Sequence, residues 1–314
     1  MKKVVLIGGG HGLSNLVKGF KDEKDVDLTI VVSSSDDGGH TGKIRDEFNL
    51  VAVGDLRMVL NELISENSLL KHVFDYRFDM IHGVKGVSLG NLIITALLLK
   101  HKDIDKVIGY FREQEDFKAD VFLSSNTPLT LCAGCKNGEV VKGEHIIGES
   151  NKFIETLYCE RDAECNGLML DKIEKADIIV LGPGSLYTSV GSVVCIDEIK
   201  AAINRSKATL IYVCNIMTQD GETFGYTVKD HEEALSNILN KDIDRVIINN
   251  GDISQSVLKR YKEENSSVVV CGDVKDTYEF YDLVEICDNK VRHNSELTKK
   301  IILSSDRQNK NIML

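Results

Sequence analysis

The chain reads VVLI from Val4 to Ile7 and then GGGHG from Gly8 to Gly12. An apolar run that enters glycines and then a helical pattern predicts a buried strand, a tight turn and a helix. The bare backbone N–H groups at the start of such a helix form a phosphate-binding site. The glycine spacing is not the full G-x-G-x-x-G fingerprint, and a tight turn without a ligand is the alternative. Because so many glycines are costly in backbone entropy, we favour phosphate contact, by Gly9, Gly10, His11 and Gly12.

A second glycine-rich turn follows the next apolar run. Leu28–Val32 is a predicted strand, and Asp36, Asp37 and Gly38 come shortly after it. In nucleotide-binding folds, an acid at the end of the second strand contacts ribose hydroxyls. The two carboxylates are also suited to binding a metal or to capping nearby backbone N–H groups. Asp36, Asp37 and Gly38 are therefore candidate ligand-binding residues, with these three roles left open.

Two further polar turns follow apolar runs in the second half of the chain. Gly184 and Ser185 come after Ile178–Leu181, and Asn215 comes after the strand-like run that starts at Thr209. Because ligands in open parallel sheets bind at the carboxyl ends of the strands, we expect all four turns to converge on one crevice. Such a convergence predicts a nucleotide-diphosphate ligand.

Strand and helix patterns alternate through most of the chain, with later strands predicted at Arg245–Asn249 and Val268–Cys271. This alternation predicts an α/β, Rossmann-like fold, with a mostly parallel sheet and helices on both of its faces. Near residue 120 the pattern changes to short strands around Asn137-Gly138, which is typical of a β-hairpin. We predict one α/β nucleotide-binding domain over residues 1–314, with a small antiparallel β-hairpin insertion at residues 121–145.

Composition and charge exclude several classes of partner. The chain has 314 residues and a net charge of −11, from 49 acidic and 38 basic residues. Such a charge disfavours binding to nucleic acids or acidic membranes. The first apolar run is too short for a signal peptide, and the longest, Leu92–Leu99, is too short to span a bilayer. We expect a cytoplasmic protein with no membrane insertion and no nucleic-acid partner.

The cysteines and the absent motifs limit the chemistry further. Of the eight cysteines, only Cys132 and Cys135 form a C-x-x-C pair. A zinc site would need a second such pair, so we expect no metal site and mostly buried, reduced thiols. The sequence contains neither the P-loop pattern nor a G-x-S-x-G nucleophile turn. This argues against a P-loop ATPase and against a serine hydrolase.

Several sequence blocks, taken in order, resemble the YvcK-type gluconeogenesis factors, within the superfamily that holds the archaeal 2-phospho-L-lactate transferases. The resemblance covers nearly the whole chain. The blocks are Gly8–Ser14, Asp36–Gly39, Gly54–Arg57, Ser88–Asn91, Leu181–Ser189, Cys214–Gln219 and Val291–Asn294.

The resemblance implies a Rossmann-like core that binds UDP-sugars such as UDP-N-acetylglucosamine, with no further cofactor required. It implies a regulatory factor that bacteria need for gluconeogenic growth and cell shape, with no firmly assigned reaction and hence no assigned catalytic residue. By analogy we expect a homodimer with a protein partner in cell-wall regulation. Carried over by motif, Gly10, His11 and Gly12 meet the diphosphate, Asp37 contacts sugar or ribose hydroxyls, Asn215 lines the pocket, and Arg292 binds the UDP-sugar.

The chain departs from the family pattern in its first loop, where His11 stands in place of a threonine, and at Asn294, which stands in place of an aspartate. After the first glycines it also lacks the Thr-Pro-Lys that is typical of the transferase branch. Two alternatives stay open. One is a Mg-dependent transferase acting on a nucleotide-diphosphate-linked substrate, with Asp36, Asp37 or Asp55 binding Mg²⁺ or serving as the base. The other is a protein that senses NAD.

Overall fold

A computed structural model describes residues 1–79, 85–287 and 289–304. Its strands, in chain order, are β1 (Lys2–Gly8), β2 (Val26–Val32), β3 (Asp120–Leu123), β4 (Leu131–Cys135), β5 (Val140–Lys142), β6 (Ile154–Cys159), β7 (Ile178–Leu181), β8 (Thr209–Val213), β9 (Arg245–Asn249), β10 (Tyr278–Tyr281), β11 (Val284–Cys287) and β12 (Lys290–His293).

Helices follow most of these strands. In chain order they are α1 (Gly10–Phe20), α2 (Gly39–Phe48), α3 (Gly54–Leu63), α4 (Leu69–Phe74), α5 (Leu89–His101), α6 (Ile104–Glu115), α7 (Glu144–Gly148), α8 (Gly167–Glu174), α9 (Ser192–Val194), α10 (Asp197–Arg205), α11 (Val228–Leu239), α12 (Gln255–Glu263) and α13 (Ser295–Leu303). A π-helical segment, Leu186–Gly191, leads into α9. Within the described ranges, no helix is both long and apolar enough to cross a membrane.

The main sheet has seven parallel strands in the order β10-β9-β8-β7-β1-β2-β3. In chain order, strands β1 to β3 are added outward on one side of the sheet, and strands β7 to β10 are added outward on the other side. The direction of winding therefore reverses between the neighbouring strands β1 and β7. A crevice opens outside the carboxyl ends of the strands at such a switch point, and this is where open α/β sheets bind their ligands.

Both faces of the sheet are buried, which explains why its strands read as continuous apolar runs. In β1, Val5 and Ile7 pack into a core shared with α8, α10 and α11. Val4 and Leu6 point to the other face and pack with α1, α3, α5, α6 and α13. The predicted α/β, Rossmann-like class with helices on both faces is thus confirmed.

The antiparallel insertion has different bounds from the predicted residues 121–145. Its three strands are ordered β5-β4-β6 and end at Cys159. The predicted first strand of the insertion is instead β3, which pairs in parallel with β2 in the main sheet. A four-residue apolar strand carries no sign of its pairing direction, so the sequence pattern did not separate β3 from the hairpin that follows it.

Two further differences concern single elements. Residues 39–48, a polar stretch with no helical pattern of apolar residues, form the helix α2. The sequence pattern predicted a sheet strand at Val268–Cys271, but that segment runs along the loop after β8, and Val270 is 61% exposed. The edge position beyond β9 is occupied by β10. The consecutive valines of this segment predicted a sheet strand, but in the structure the segment runs along a loop.

Candidate functional site

A cavity of about 310 Å³ lies at the carboxyl ends of β1, β7 and β8. The turn after β1 forms one wall, and the turn after β7 forms the facing wall. The loop after β8 and the β11–β12 hairpin complete it. The cavity therefore occupies the switch point of the sheet, as expected for a ligand site in this fold class.

The first turn approaches the third turn backbone to backbone. A Cβ atom on Gly12 would lie 2.2 Å from the carbonyl oxygen of Pro183, so only glycine fits at that position. Gly10 has φ +58°, a left-handed conformation that glycine adopts without strain. These glycines have a packing reason to be there, and the same packing brings the start of α1 to the cavity wall.

The start of α1 keeps backbone N–H groups available at the cavity. Gly9 precedes the helix and has no side chain that could cap it, and no described side chain accepts from the backbone N–H of His11 or Gly12. The amides of the first helical turn have no acceptor within the helix itself. His11 and Gly12, which belong to this turn, line the cavity. The arrangement suits an anion, which the amides and the helix dipole both attract.

A carboxyl group lies directly under this turn. The Asp55 side chain, at the start of α3, accepts a hydrogen bond from the backbone N–H of Gly10. Burial raises the pKa of Asp55 to about 7, and the neighbouring Asp36 carboxylate contributes to the rise. Asp55 therefore gains or loses its negative charge near neutral pH, beside the backbone N–H groups that would bind an anion.

The third turn differs because its N–H groups are already occupied. Glu222, which is 4% exposed, accepts from the backbone N–H of Thr188 at 3.0 Å. The backbone N–H groups of Leu186 and Tyr187 also face this carboxylate. Burial raises the pKa of Glu222, and these bonds oppose the rise. The start of the π-helical segment is thus capped by the protein's own acid.

The third turn and the loop after β8 are tied together beside the cavity. The Ser185 hydroxyl donates to Oε1 of Gln219 at 2.7 Å. The backbone N–H of Gly184 donates to Oδ1 of Asn215 at 3.4 Å. All four residues line the cavity, so this wall is held by side chains from two different strand ends.

The β11–β12 hairpin brings a cation to the same cavity. Arg292 lies on β12, lines the cavity and forms no ion pair with a described acid. Nε2 of its neighbour His293 lies 3.0 Å from the carbonyl oxygen of Cys214. The Asn15 side chain on α1 donates to the backbone carbonyl of His293 at 2.7 Å. Two long-range hydrogen bonds therefore fix the strand that carries Arg292.

The charged groups that act on the His11 side chain are all cations. Desolvation lowers the pKa of His11, and the nearby guanidinium group of Arg292 lowers it further. Lys290, Arg57 and Arg77 act in the same direction. His11 is therefore mostly neutral at pH 7, and Arg292 places a positive charge at the cavity.

The second turn stands outside this cavity. Asp37 accepts hydrogen bonds from the backbone N–H groups of Glu144, at 3.1 Å, and His145, at 2.8 Å, and so caps α7. Asp36 accepts from the backbone N–H of Gly38 at 2.9 Å, and burial raises its pKa. The capping role left open for these acids is the one their hydrogen bonds show. Within the described ranges, no group of three or more His, Cys, Asp or Glu side chains is placed to hold a metal ion.

Three of the four predicted turns therefore meet at the cavity, and their assignment to a ligand stays a prediction. The predicted residues that line it are Gly9, Gly10, His11, Gly12, Gly184, Ser185, Asn215 and Arg292, whereas Asp36, Asp37 and Gly38 do not. Sequence reasoning missed Asn15, Gln219, Tyr261 and His293, which also line it. Gln219 and His293 lie inside blocks that carried the family resemblance, but Tyr261 sits on a helix with no sequence signal of its own.

Comparisons with known proteins agree along the whole chain. The family described as 2-phospho-L-lactate transferase CofD matches residues 4–285. A Thermotoga maritima protein is 40% identical over 303 residues, which are 93% of this chain and 96% of that protein. A gluconeogenesis factor of Halalkalibacterium halodurans is 35% identical over 310 residues, 96% of each chain. A crystal structure of a UPF0052-family protein from Bacillus halodurans superposes with a TM-score of 0.92 at 33% identity, covering 97% of this chain and all of that one.

Proposed function

This chain belongs to the family described as 2-phospho-L-lactate transferase CofD, in its gluconeogenesis-factor branch, and on that premise we propose that it is a UDP-sugar-binding regulatory protein. The family that the sequence blocks predicted is thereby confirmed. UDP-N-acetylglucosamine is the ligand we propose first. The protein would act by binding this metabolite, with no reaction required.

One observation carries the proposal: His11 and Gly12, whose backbone N–H groups have no described side-chain acceptor, line the same cavity as the Arg292 side chain. Helix amides and a guanidinium group both complement the two charges of a nucleotide diphosphate. The cavity is open enough to continue along the loop after β8, where Asn215 and Gln219 offer polar groups to a sugar or base.

The biological role rests on the relatives. The Halalkalibacterium halodurans protein is named a gluconeogenesis factor, and we propose the same role for this chain, in the cytoplasm. We further propose that the ligand-bound protein signals to a protein partner in cell-wall regulation and so supports cell shape. A homodimer is the expected assembly.

Isothermal titration calorimetry of the purified chain with UDP-N-acetylglucosamine tests the ligand. We expect binding, and we expect Arg292→Ala to weaken it about 100-fold, because losing a charged partner of a desolvated phosphate costs about 2–5 kcal/mol. Arg205→Ala, which removes an exposed guanidinium on α10, should bind as the unaltered chain does. No detectable binding of any UDP-sugar at millimolar concentration would contradict the proposal. Thermal-shift measurements with NAD in place of UDP-sugars separate the alternative ligand.

The family description also favours a second candidate, a Mg-dependent transferase acting on a nucleotide-diphosphate-linked substrate. Asp36 and Asp55 lie close enough to interact with each other beside the first turn, where such an enzyme would need acids. Metal-dependent turnover of a nucleotide conjugate, abolished by Asp55→Asn, would support this candidate. A panel of such conjugates that stays intact with Mg²⁺ and the purified protein would leave the binding role as the better description.

A further inference from the structure

Two thiols from different parts of the chain meet behind the third turn. The sulfur atoms of Cys159, at the end of β6, and Cys195, just after α9, lie 4.0 Å apart. The two residues are 36 positions apart in the sequence. We propose that Cys159 and Cys195 form a reversible disulfide on exposure to peroxide, so that the pair is an oxidant-sensitive modification site.

The elements that carry the two thiols are in direct contact. A Cβ atom on Gly191, in the π-helical segment before α9, would lie 2.9 Å from a methyl carbon of Leu157 on β6. This close packing keeps the backbone of β6 against the segment that ends at Cys195. A disulfide has an S–S length of about 2.05 Å, so the sulfur atoms need to approach by about 2 Å. Rotation of the two side chains can supply that distance while the elements stay packed.

The two thiols are not equivalent. Cys195 is buried, whereas Cys159 is half-buried at the end of an edge strand of the insertion sheet. A hydrogen bond from the Cys195 thiol lowers the pKa of Cys159. The thiolate is the form that attacks oxidants, so Cys159 is the attacking sulfur and Cys195 the resolving one.

The chemistry balances with hydrogen peroxide as the oxidant. The Cys159 thiolate attacks one peroxide oxygen, the O–O bond breaks, and with one proton the products are a sulfenic acid and water. The Cys195 sulfur then attacks the sulfenic sulfur, an S–S bond forms, and the hydroxyl leaves as water with the Cys195 proton. Two thiols lose two electrons in total, and one peroxide gains them. A dithiol reductant reverses the reaction by thiol–disulfide exchange.

The other cysteines do not compete on geometric grounds. In the part of the chain that the structure describes, no second pair of thiols forms a sulfur–sulfur hydrogen bond. The Cys165 thiol donates to the backbone carbonyl of Ser124 at 3.4 Å, and burial raises its pKa to about 12. Cys287 is the exposed cysteine and lies on β11, away from the insertion. It therefore serves as the matched control.

The bond would join the insertion to the segment that begins at the third turn. Residues 186–195 run from the cavity wall at Ser185 to the Cys195 thiol. A cross-link that closes a long loop restricts the unfolded chain, so we expect a higher midpoint of thermal unfolding after oxidation.

Mild peroxide treatment of the full-length protein, followed by thiol counting and peptide mapping without reduction, tests the proposal. We expect the loss of two of the eight free thiols. Trypsin cuts after Lys and Arg and would release residues 153–161 joined to residues 176–200. Dithiothreitol should separate the two peptides and restore the original unfolding midpoint.

The variants make the outcome decisive. Cys195→Ser should abolish the linked peptide, and Cys287→Ser should retain it. If Cys195→Ser does not fold, Cys159→Ser at the half-buried position takes its place. The proposal is overturned if residues 153–161 are linked instead to residues 162–172, which contain Cys165, or to residues 119–136, which contain Cys132 and Cys135. It is also overturned if Cys159 is oxidised to a sulfinic acid without any link.

Discussion

The turn after β1 and the turn after β7 share one local pattern and differ in what fills it. Each follows a buried strand, contains glycines and leads into a helical segment. In the turn after β1, the amides of His11 and Gly12 have no described side-chain acceptor, and only the Gly10 amide is bound, by Asp55. In the turn after β7, the carboxylate of Glu222, 34 positions after Thr188, accepts from the backbone N–H of Thr188 and faces those of Leu186 and Tyr187. A glycine-rich turn therefore supplies the geometry of an anion site, and a distant acid decides whether a ligand can use it.

The largest expected effect comes from a substitution that forces the two turns apart. Gly12→Ala places a methyl group against the carbonyl of Pro183, and we expect it to abolish measurable UDP-N-acetylglucosamine binding in calorimetry. The same overpacking should lower the free energy of unfolding by about 1–3 kcal/mol. Gly109→Ala is the control, because a Cβ there, on α6, meets nothing within 4 Å. If Gly12→Ala binds normally, the close approach of the turns does not position α1 for the ligand.

Removing the Glu222 carboxylate from the turn after β7 tests the second half of the comparison. Glu222→Ala leaves buried N–H groups without their acceptor, and we expect the free energy of unfolding in urea to fall by about 1–3 kcal/mol. Glu222→Gln keeps a carbonyl acceptor at the same place and should lose less. Glu233→Ala, at an exposed site on α11, should change little. Equal stability of Glu222→Ala and the unaltered chain would mean that these amides have another partner.

Titrating Asp55 sharpens the description of the first turn. With a pKa of about 7, raised from 3.8 mainly by burial, this carboxyl is mostly neutral at pH 6 and mostly charged at pH 8. Its negative charge repels a diphosphate, so affinity should fall as pH rises from 6.5 to 8.5. Up to pH 8 the affinity can fall by at most about tenfold, because about one molecule in ten still has a protonated Asp55 at that pH.

Asp55→Asn should flatten this pH profile, measured by calorimetry in a metal-free buffer. The exposed Asp46→Asn, on α2, should keep the profile of the unaltered chain. An affinity that rises with pH in the unaltered chain would show that a different group near the cavity controls the charge.

The smallest expected effect concerns the side chain in the first turn. His11→Thr replaces a neutral imidazole with the hydroxyl that the family usually carries, beside the open amides of α1. One added neutral hydrogen bond is worth about 0.5–1.5 kcal/mol, so we expect about a threefold gain in affinity. His72→Thr, exposed on α4, is the matched control. A large loss of affinity would mean that His11 itself contacts the ligand.

The sequence predicted those features that depend on short-range patterns. The run Ile178–Leu181 is buried on both faces of the sheet, and its bounds follow directly from its apolar residues. The three cavity turns were found because each follows such a run. The role of Asp37 was beyond sequence reasoning, since its partners Glu144 and His145 lie more than 100 positions away. The same holds for Tyr261, which reaches the cavity only because α12 packs beside β12.

The hydrogen bond from Asn15 to His293 spans 278 positions of the chain. The residues that meet at the cavity thus come from the beginning of the polypeptide and from beyond position 290. The ribosome must therefore synthesise and release nearly all of these 278 positions before the pocket can form. A ligand in the cell would therefore bind only chains synthesised past position 290, and its occupancy would protect those copies from proteases while shorter nascent chains stay unprotected.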